Sequence, residues 1–385
     1  MRCNAPGSIL VLTAALVATS CGPKPAVSGT GASAVVSLNA SLAPGGKPNP
    51  PLILEKPPAP PALLDNRDLR AIPEAELQEL ALKAEHGQDY PHAAILQYWL
   101  VQRTNAGHYN LACYLSRTGK VDPAFYWLQV AGLAGGLDVA YADRDEDLGT
   151  LRADSRWPQV HDYLVACNRY FEAVVPPRTV LRLPKSYVKG TPIPAVVWLH
   201  GLGSHPDDFV DDMGQRFADE MNVAMIGVSA TVARGPASFV WAEEVERDAA
   251  RVRDALSGLS DRVTIKSGHV ILLGFSQGAQ VGFEIAVRHP EEFAGAIVLS
   301  PGAAFHLQDV KPSPLLAKRG FVVSCGAREH PGNVMLTKQD ADWARAAKAQ
   351  VIEREYAGVS AHALPLDFGK RFPEWVNFIE QTRGE

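Results

Sequence analysis

Residues 270–278 read Val-Ile-Leu-Leu-Gly-Phe-Ser-Gln-Gly, and this stretch decides the expected fold of the 385-residue chain. Four consecutive apolar residues are typical of a buried strand, and a helical pattern follows the second glycine. Glycines on both sides of Ser276 avoid side-chain clashes in a very tight turn. The stretch therefore predicts a strand, a sharp turn and a helix, with Ser276 exposed at the helix N-terminus, where the helix dipole favours developing negative charge.

The same alternation of strand and helix runs through residues 174–385. Apolar runs predict strands at 179–183, 195–199, 223–228, 270–273, 296–299, 321–325 and 351–356. Amphipathic patterns predict helices at 211–221, 243–256, 277–289, 339–349 and 372–381. Because the strands are nearly all apolar, we expect a mostly parallel sheet covered by helices on both faces, an α/β fold.

A glycine loop supplies the first expected partner of Ser276. The sequence His-Gly-Leu-Gly at 200–203 directly follows the strand predicted at 195–199. Such a loop can aim the N–H of Leu202 at a substrate oxyanion, and the N–H of Gln277, next to the serine, would be the second donor.

A histidine between the last predicted strand and the last predicted helix supplies the second partner. His362 occupies the place of the general base in the chain order serine, acid, histidine. His200 lies upstream of the serine and is therefore interpreted as a structural loop residue. Weaker candidates for the base are His205, His306 and His330.

The acidic partner of the predicted site has several candidates. Glu329 follows the strand predicted at 321–325, at a place where an aspartate is expected. The extra methylene of glutamate moves the carboxylate by about one bond length, and errors near 1 Å can be costly. Three aspartates, or no working acid at all, remain alternatives: Asp309, Asp340 and Asp342.

Three motifs together resemble a known family. Leu-His-Gly-Leu-Gly-Ser at 199–204, Gly-Phe-Ser-Gln-Gly at 274–278 and the loop around His362 are similar to those of the α/β-hydrolase fold, specifically the phospholipase/carboxylesterase group that includes acyl-protein thioesterases. The resemblance implies a doubly wound, mostly parallel sheet and serine-esterase chemistry on carboxylic esters or thioesters, without a metal or an organic cofactor.

The resemblance also implies roles for particular residues. Ser276 would be the nucleophile, His362 the base and Glu329 the acid of a catalytic triad. Trp241 looks like a tryptophan that borders the site in this group, and Trp241 and Gly201 are the candidates for substrate contact.

Residues 65–173 predict a small all-α domain. Ala81 and Ala112 are 31 residues apart, as are Ala93 and Ala124, and small residues at these offsets let antiparallel helices approach closely. The pattern resembles the tetratricopeptide repeat, whose usual period is 34 residues. A peptide-binding groove and a module that packs on the next domain are both open, and the small number of repeats favours packing.

Residues 1–64 predict a targeting signal followed by a spacer. Residues 1–20 resemble a signal peptide, and small residues before Cys21 resemble a bacterial lipobox, which implies lipidation of Cys21. Residues 21–64 would then be a tether, since ten of the 29 prolines fall between positions 22 and 62. Ordinary secretion or a cytosolic protein are the alternatives for the signal, and a partner-binding proline-rich segment is the alternative for the tether.

Composition bounds the function. The chain is 46% hydrophobic and 21% charged, with a net charge of −5, so it can build a core and offers no basic field for nucleic acid. We expect a membrane-tethered serine esterase of the bacterial cell envelope, lipid-anchored and facing the periplasm or the exterior, or otherwise secreted. A weak or inactive hydrolase-fold module that binds partners through its helical repeats, or an acyl transferase, are the rival hypotheses.

Overall fold

The computed structural model describes residues 46–327, 329–356 and 362–383. The predicted signal peptide, Cys21 and the first half of the predicted tether lie outside these residues. In the part of the chain that is described, no helix is both long enough and apolar enough to cross a membrane.

Helices dominate the chain up to residue 174. A short antiparallel pair, β1 (Leu63–Leu64) and β2 (Arg67–Asp68), comes first. The helices that follow are α1 (Glu74–His86), α2 (Tyr90–Thr104), α3 (His108–Arg117), α4 (Val121–Ala134), α5 (Val139–Ala142), α6 (Gly149–Arg152) and α7 (Trp157–Val174). We call residues 74–174 the helical module.

Small buried residues let these helices pack closely. Ala81, Ala93, Ala112 and Ala124 are all at most 3% exposed, as their 31-residue spacing predicts. The Asp89 carboxylate caps α2 by accepting the N–H of His92, and Asn105 ends the same helix in a left-handed conformation. The likeness of the helices to the tetratricopeptide repeat stays a prediction.

The predicted tether is not separate from the helices over its whole length. Residues 50–60 form neither helix nor strand, but the amide side chain of Gln129 on α4 bonds to both backbone groups of Leu52, at 2.9 and 3.3 Å. The indole N–H of Trp99 on α2 donates to the carbonyl of Pro61 at 3.2 Å. The expectation of an unattached spacer is therefore wrong for this part, because Leu52 and Leu54 find apolar surface on the helices.

The second half of the chain is built on a seven-stranded sheet. In chain order its elements are β3 (Thr179–Arg182), β4 (Ile193–Leu199), α8 (Asp207–Phe209), a π-turn (Val210–Gly214), α9 (Gln215–Met221), β5 (Ala224–Val228), the hairpin of β6 (Val232–Gly235) and β7 (Ser238–Val240), α10 (Val245–Ser257), β8 (Ile265–Phe275), α11 (Gln277–Arg288), β9 (Phe293–Leu299), β10 (Gly320–Gly326), α12 (Pro331–Ala346), β11 (Gln350–Tyr356) and α13 (Phe368–Thr382).

The order of the seven-stranded sheet is β11-β10-β9-β8-β4-β5-β3, and within this described sheet β3 alone runs antiparallel to its neighbour. Alternate residues of β4 enter different layers. Val197 packs in the core that contains residues of α10, α11 and α12, whereas Val196 and Trp198 pack in the core with α9 and α13. Both faces are therefore covered, and the expected α/β-hydrolase-like architecture is confirmed, with all seven predicted strands in the sheet.

Three elements differ from the sequence predictions. The β6–β7 hairpin was not predicted, because its strands have only four and three residues. The helix predicted at 211–221 is divided by the π-turn. Helix α12 begins at Pro331 rather than near 339, because proline suits the first helical turn and the His330 ring accepts the N–H of Gly332 at 3.1 Å. This early start brings the beginning of α12 next to Glu329.

Candidate active site

The turn between β8 and α11 holds Ser276 in an unusual backbone conformation. Ser276 has φ 56° and ψ −123°, a region that non-glycine residues occupy only under constraint. A Cβ on Gly274 would lie 2.3 Å from the carbonyl oxygen of Gly278, and one on Gly278 would lie 2.2 Å from that of Leu199. Both glycines are therefore required by close backbone approach, which is the reason inferred from the sequence.

Two more glycines leave space around Ser276. A Cβ on Gly201 would lie 3.3 Å from the Ser276 Cβ, and one on Gly302 would lie 3.3 Å from the Ser276 Oγ. The Gly302 N–H also donates to the Ser276 carbonyl at 3.1 Å. The hydroxyl thus lies in a notch between the loops that follow β4 and β9, at the carboxyl ends of the parallel strands, where open α/β sheets bind ligands.

The structure brings His362 and Glu329 together. His362 Nδ1 lies 3.0 Å from Glu329 Oε1, and the Glu329 side chain is only 2% exposed. Burial alone would raise the pKa of Glu329, but the hydrogen bond and charge of His362 outweigh burial and lower it. A carboxylate on Nδ1 holds the imidazole in the tautomer whose Nε2 is free to accept a proton.

The His362 ring lies against the Ser276 turn without bonding to the serine. Its centroid is 4.7 Å from that of the Phe275 ring. Among the described residues, no hydrogen bond joins Ser276 Oγ to His362. Such bonds are often long in enzymes without substrate and tighten in the substrate complex.

Asn333 is a site residue that the sequence analysis missed. Its Nδ2 donates to Glu329 Oε1 at 3.2 Å and lies 3.5 Å from His362 Nδ1. Asn333 is 5% exposed and sits one turn after Glu329, in the part of α12 that the sequence did not predict. Pro331, a residue that suits the first turn of a helix, was the sequence signal that could have predicted this early start.

The alternative acids lie elsewhere. Asp309 and Asp342 are exposed, and Asp342 pairs with Arg345 at 3.3 Å. Asp340 is fully buried and accepts from the Gln280 side chain at 3.2 Å; burial raises its pKa well above the ordinary value. Glu329 is therefore the acidic residue that the structure places on His362.

The two expected oxyanion donors belong to the loop after β4 and to the first residue of α11. The Gln277 N–H is the first of α11, and the first four N–H groups of a helix have no intrahelical acceptor. In the loop after β4, the Gly203 N–H donates to the Phe239 carbonyl and the Ser204 N–H donates to the Gly201 carbonyl. The N–H of Leu202 has no backbone acceptor among the described residues, as an oxyanion donor requires.

Trp241 is buried beneath the candidate active site and does not line its surface. It is 2% exposed, so it offers almost no surface to a substrate, contrary to its expected contact role. Its backbone N–H donates to Gln277 Oε1 at 3.0 Å and its indole N–H donates to the His200 carbonyl at 2.9 Å. The tryptophan thereby links the turn at Ser276 to the loop after β4.

His200 has the structural position that the sequence favoured. It is fully buried; Nδ1 donates to the Gly201 carbonyl at 2.8 Å and Nε2 accepts the N–H of Ala230 at 3.0 Å. Burial lowers the pKa of His200 to about 4, so the ring is neutral near pH 7. The other candidate bases are engaged elsewhere: His205 with Asp207 and Asp208, His306 with Glu284, and His330 as the cap of α12.

A group with the spacing of metal ligands lies away from this notch. His289, Glu291 and Glu292 precede β9 and lie toward the amino ends of the parallel strands, whereas Ser276 follows the carboxyl end of β8. They are at least partly exposed and contribute nothing to the candidate site.

A family model matches the part of the chain that forms the seven-stranded sheet. Fold and site define an α/β-hydrolase-like protein. The chain belongs to the Esterase family, described as "Putative esterase", whose model matches residues 176–378. A search of curated proteins found no match.

Several solved structures are similar to the chain at low identity. A Bacillus cereus carboxylesterase is 16% identical, over 55% of this chain and 99% of that one, with a TM-score of 0.44. Arabidopsis thaliana SOBER1 is 19% identical over 49% and 99%, with a TM-score of 0.39. A phospholipase/carboxylesterase from Dyadobacter fermentans is 16% identical over 53% and 97%, with a TM-score of 0.40.

Proposed function

We propose that this protein is a serine esterase that hydrolyses carboxylic esters or thioesters through an acyl-enzyme. The observation that carries the proposal is the juxtaposition of Ser276, in its constrained turn, with the buried Glu329–His362 pair. Membership of the Esterase family supports an ester substrate.

The proposed mechanism uses each residue at a defined step. His362 Nε2 takes the proton of Ser276 as Oγ attacks the ester carbonyl, and the N–H groups of Leu202 and Gln277 hold the oxyanion. His362 then protonates the leaving alcohol or thiol. Water, deprotonated by His362, attacks the acyl-enzyme, and the carboxylic acid leaves as Ser276 regains its proton.

Glu329 stabilises the imidazolium that forms in both halves of this reaction. The glutamate reaches Nδ1 in spite of its extra methylene because Asn333 fixes the same oxygen that contacts the ring. This geometry favours an active esterase over the rival hypothesis of an inactive binding module. That hypothesis was raised because Glu329 stands where an aspartate is expected.

Substrate breadth follows from the connection between β9 and β10. Only residues 300–319 separate the two strands, and their regular structure is a single 3₁₀ turn, Pro314–Lys318. A connection this short cannot form a large lid domain there. An open site favours short-chain, exposed or polymer-bound esters over a deeply enclosed lipid.

A labelling and hydrolysis experiment tests the proposal. The wild-type protein should hydrolyse a chain-length series of p-nitrophenyl esters, fastest at short chains, and bind a fluorophosphonate probe at one site per molecule. Peptide mass spectrometry should place the probe on Ser276. A folded protein that neither labels nor hydrolyses any ester of the series would refute the esterase, and rapid transfer of the acyl group to added alcohols or amines would favour acyl transfer.

We further propose that the enzyme is tethered to a bacterial membrane by a lipid on Cys21 and faces the periplasm or the exterior. The small residues before Cys21 and the proline-rich stretch after it support this. The Cys21→Ala variant, expressed with its own leader, should either keep its leader uncleaved or, once cleaved, appear in the soluble fraction instead of the membrane fraction. The Cys113→Ala variant is the control and should fractionate like the wild type. Retained fractionation with membranes after correct processing would contradict lipidation at Cys21.

A further inference from the structure

The helical module touches the esterase part at a tight backbone contact. Residues 135–138, between α4 and α5, meet the β6–β7 hairpin: the Gly136 N–H donates to the Arg234 carbonyl at 3.0 Å. A Cβ on Gly235 would lie 2.7 Å from the Cα of Gly135 and 3.1 Å from the nitrogen of Gly136. Because both neighbours are backbone atoms, a side chain at position 235 would force the two parts away from each other.

A shielded ion-pair cluster reinforces this contact. Arg234, on the hairpin, binds Asp138 at 2.8 Å and Glu172 of α7. The Arg234 and Asp138 side chains are each only 13% exposed, so solvent screens their attraction less than it would on an open surface. Asn168 of α7 fixes the same loop by bonding to the Leu137 carbonyl at 2.7 Å and to the Val139 N–H at 3.1 Å.

The other side of the hairpin holds the loop that carries Leu202. Gly203 N–H donates to the Phe239 carbonyl at 3.0 Å, and Phe239 N–H donates to the Ser204 carbonyl at 2.9 Å. Trp241, one residue beyond the hairpin, bonds to the Gln277 side chain. The hairpin is thus attached to the segments that bear both proposed oxyanion donors.

The module also approaches that loop directly. A Cβ on Gly203 would lie 3.8 Å from the Gly136 carbonyl oxygen and 3.7 Å from the Ser238 Oγ. The same Ser238 hydroxyl is 3.6 Å from the Cβ position of Gly136, and it is buried with no hydrogen-bond partner among the described residues. Loop, hairpin and module therefore pack without an intervening layer.

We infer that the helical module is a positioning element of the active site: through Arg234 and the β6–β7 hairpin it sets the position of the loop that carries Leu202. The inference rests on the proposed esterase function. It assigns Arg234 and Gly235 as positioning residues, which touch no substrate. An oxyanion donor stabilises the transition state only when it is held within a few tenths of an ångström of its place, so a loosened hairpin should lower kcat more than it raises KM.

Two variants test the inference. Arg234→Met roughly keeps the length of the side chain but removes both ion pairs. Gly235→Ala places a methyl group against the backbone of Gly135 and so forces the hairpin away from the helical module. The matched control is Arg156→Met, which removes ion pairs to Asp122 and Asp154 inside the helical module, away from the hairpin. We expect kcat for a short-chain ester to fall about 10- to 100-fold in both test variants, with KM changed less than about threefold and the control near wild type.

A second measurement is independent of activity. Amide hydrogen exchange at Gly203 and Phe239 should be faster in Arg234→Met and unchanged in Arg156→Met. Unaltered exchange at these two amides in folded Arg234→Met, or unaltered kcat in an active enzyme, would overturn the inference. If Gly235→Ala does not fold, Arg234→Met alone decides. If the wild type hydrolyses no ester, the proposed function fails, while hydrogen exchange still decides whether the module positions the loop.

Discussion

Replacement of Ser276 by alanine is expected to lower kcat for ester hydrolysis by on the order of 10⁴-fold or more, because no other group can form the acyl-enzyme. The residual rate should come from the oxyanion donors and from substrate binding alone. Alanine has the same Cβ as serine in the φ 56° conformation, so the fold should be unchanged. Initial rates with a p-nitrophenyl ester, together with the far-ultraviolet circular dichroism of both proteins, check this.

The matched control is Ser186→Ala, which removes an exposed hydroxyl remote from the site. It should retain wild-type kcat and wild-type labelling by a fluorophosphonate, whereas Ser276→Ala should not label. If Ser276→Ala keeps more than a tenth of the activity, the nucleophile is another residue and the proposed mechanism is wrong.

Replacement of Glu329 by glutamine is expected to lower kcat by on the order of 10³-fold with little change in KM. The amide cannot balance the charge of the imidazolium, and when its NH₂ group faces Nδ1 it selects the tautomer with the proton on the wrong nitrogen. Asp309→Asn is the matched control, because Asp309 is exposed and is not placed on His362. Activity lost in Asp309→Asn but kept in Glu329→Gln would assign the acid to Asp309.

The same variant has a pH signature in stability. The folded-state pKa of Glu329 is lowered, so the unfolded chain binds more protons over the interval between the two pKa values. Ionisation of Glu329 therefore contributes fully to the free energy of unfolding above about pH 5, and the contribution is lost as the pH falls below about 4.5 through the folded pKa. Urea unfolding of wild type and Glu329→Gln between pH 3 and 7 should show their difference shrinking toward acid. A difference independent of pH would contradict an ionised Glu329.

The predictions that succeeded rest on local signals. The central strands of the sheet were visible as apolar runs, because strands buried on both faces carry few polar residues, whereas the predicted edge strand β11 is more polar and partly exposed. The turn at Ser276 was visible because its flanking glycines are demanded by contacts within a few residues and with the neighbouring strand end. Glu329 and His362 could be proposed because the loops that follow parallel strands all lie at the carboxyl ends of those strands.

Sequence reasoning missed three features, whose signals are unusual, very short or dependent on contacts between distant segments. Asn333 was overlooked because α12 begins eight residues before the predicted start, stabilised by a histidine cap that is an unusual signal. The β6–β7 hairpin is too short to show a period. Trp241 was expected at the rim but is buried, because its indole N–H and backbone N–H both find partners beneath the site.

The amino-acid sequence by itself determined the α/β layering, the constrained serine and the order of its expected partners, since each follows from hydrophobic period, glycine spacing or position along the chain. Only the tertiary structure decided which acid meets His362, and that residues 135–138 of the helical module lie against the hairpin beside Gly203. Arg234 meets Asp138, 96 positions away in the chain, and no local pattern encodes such a pairing. It forms because two folded surfaces approach until backbone meets backbone at Gly135 and Gly235.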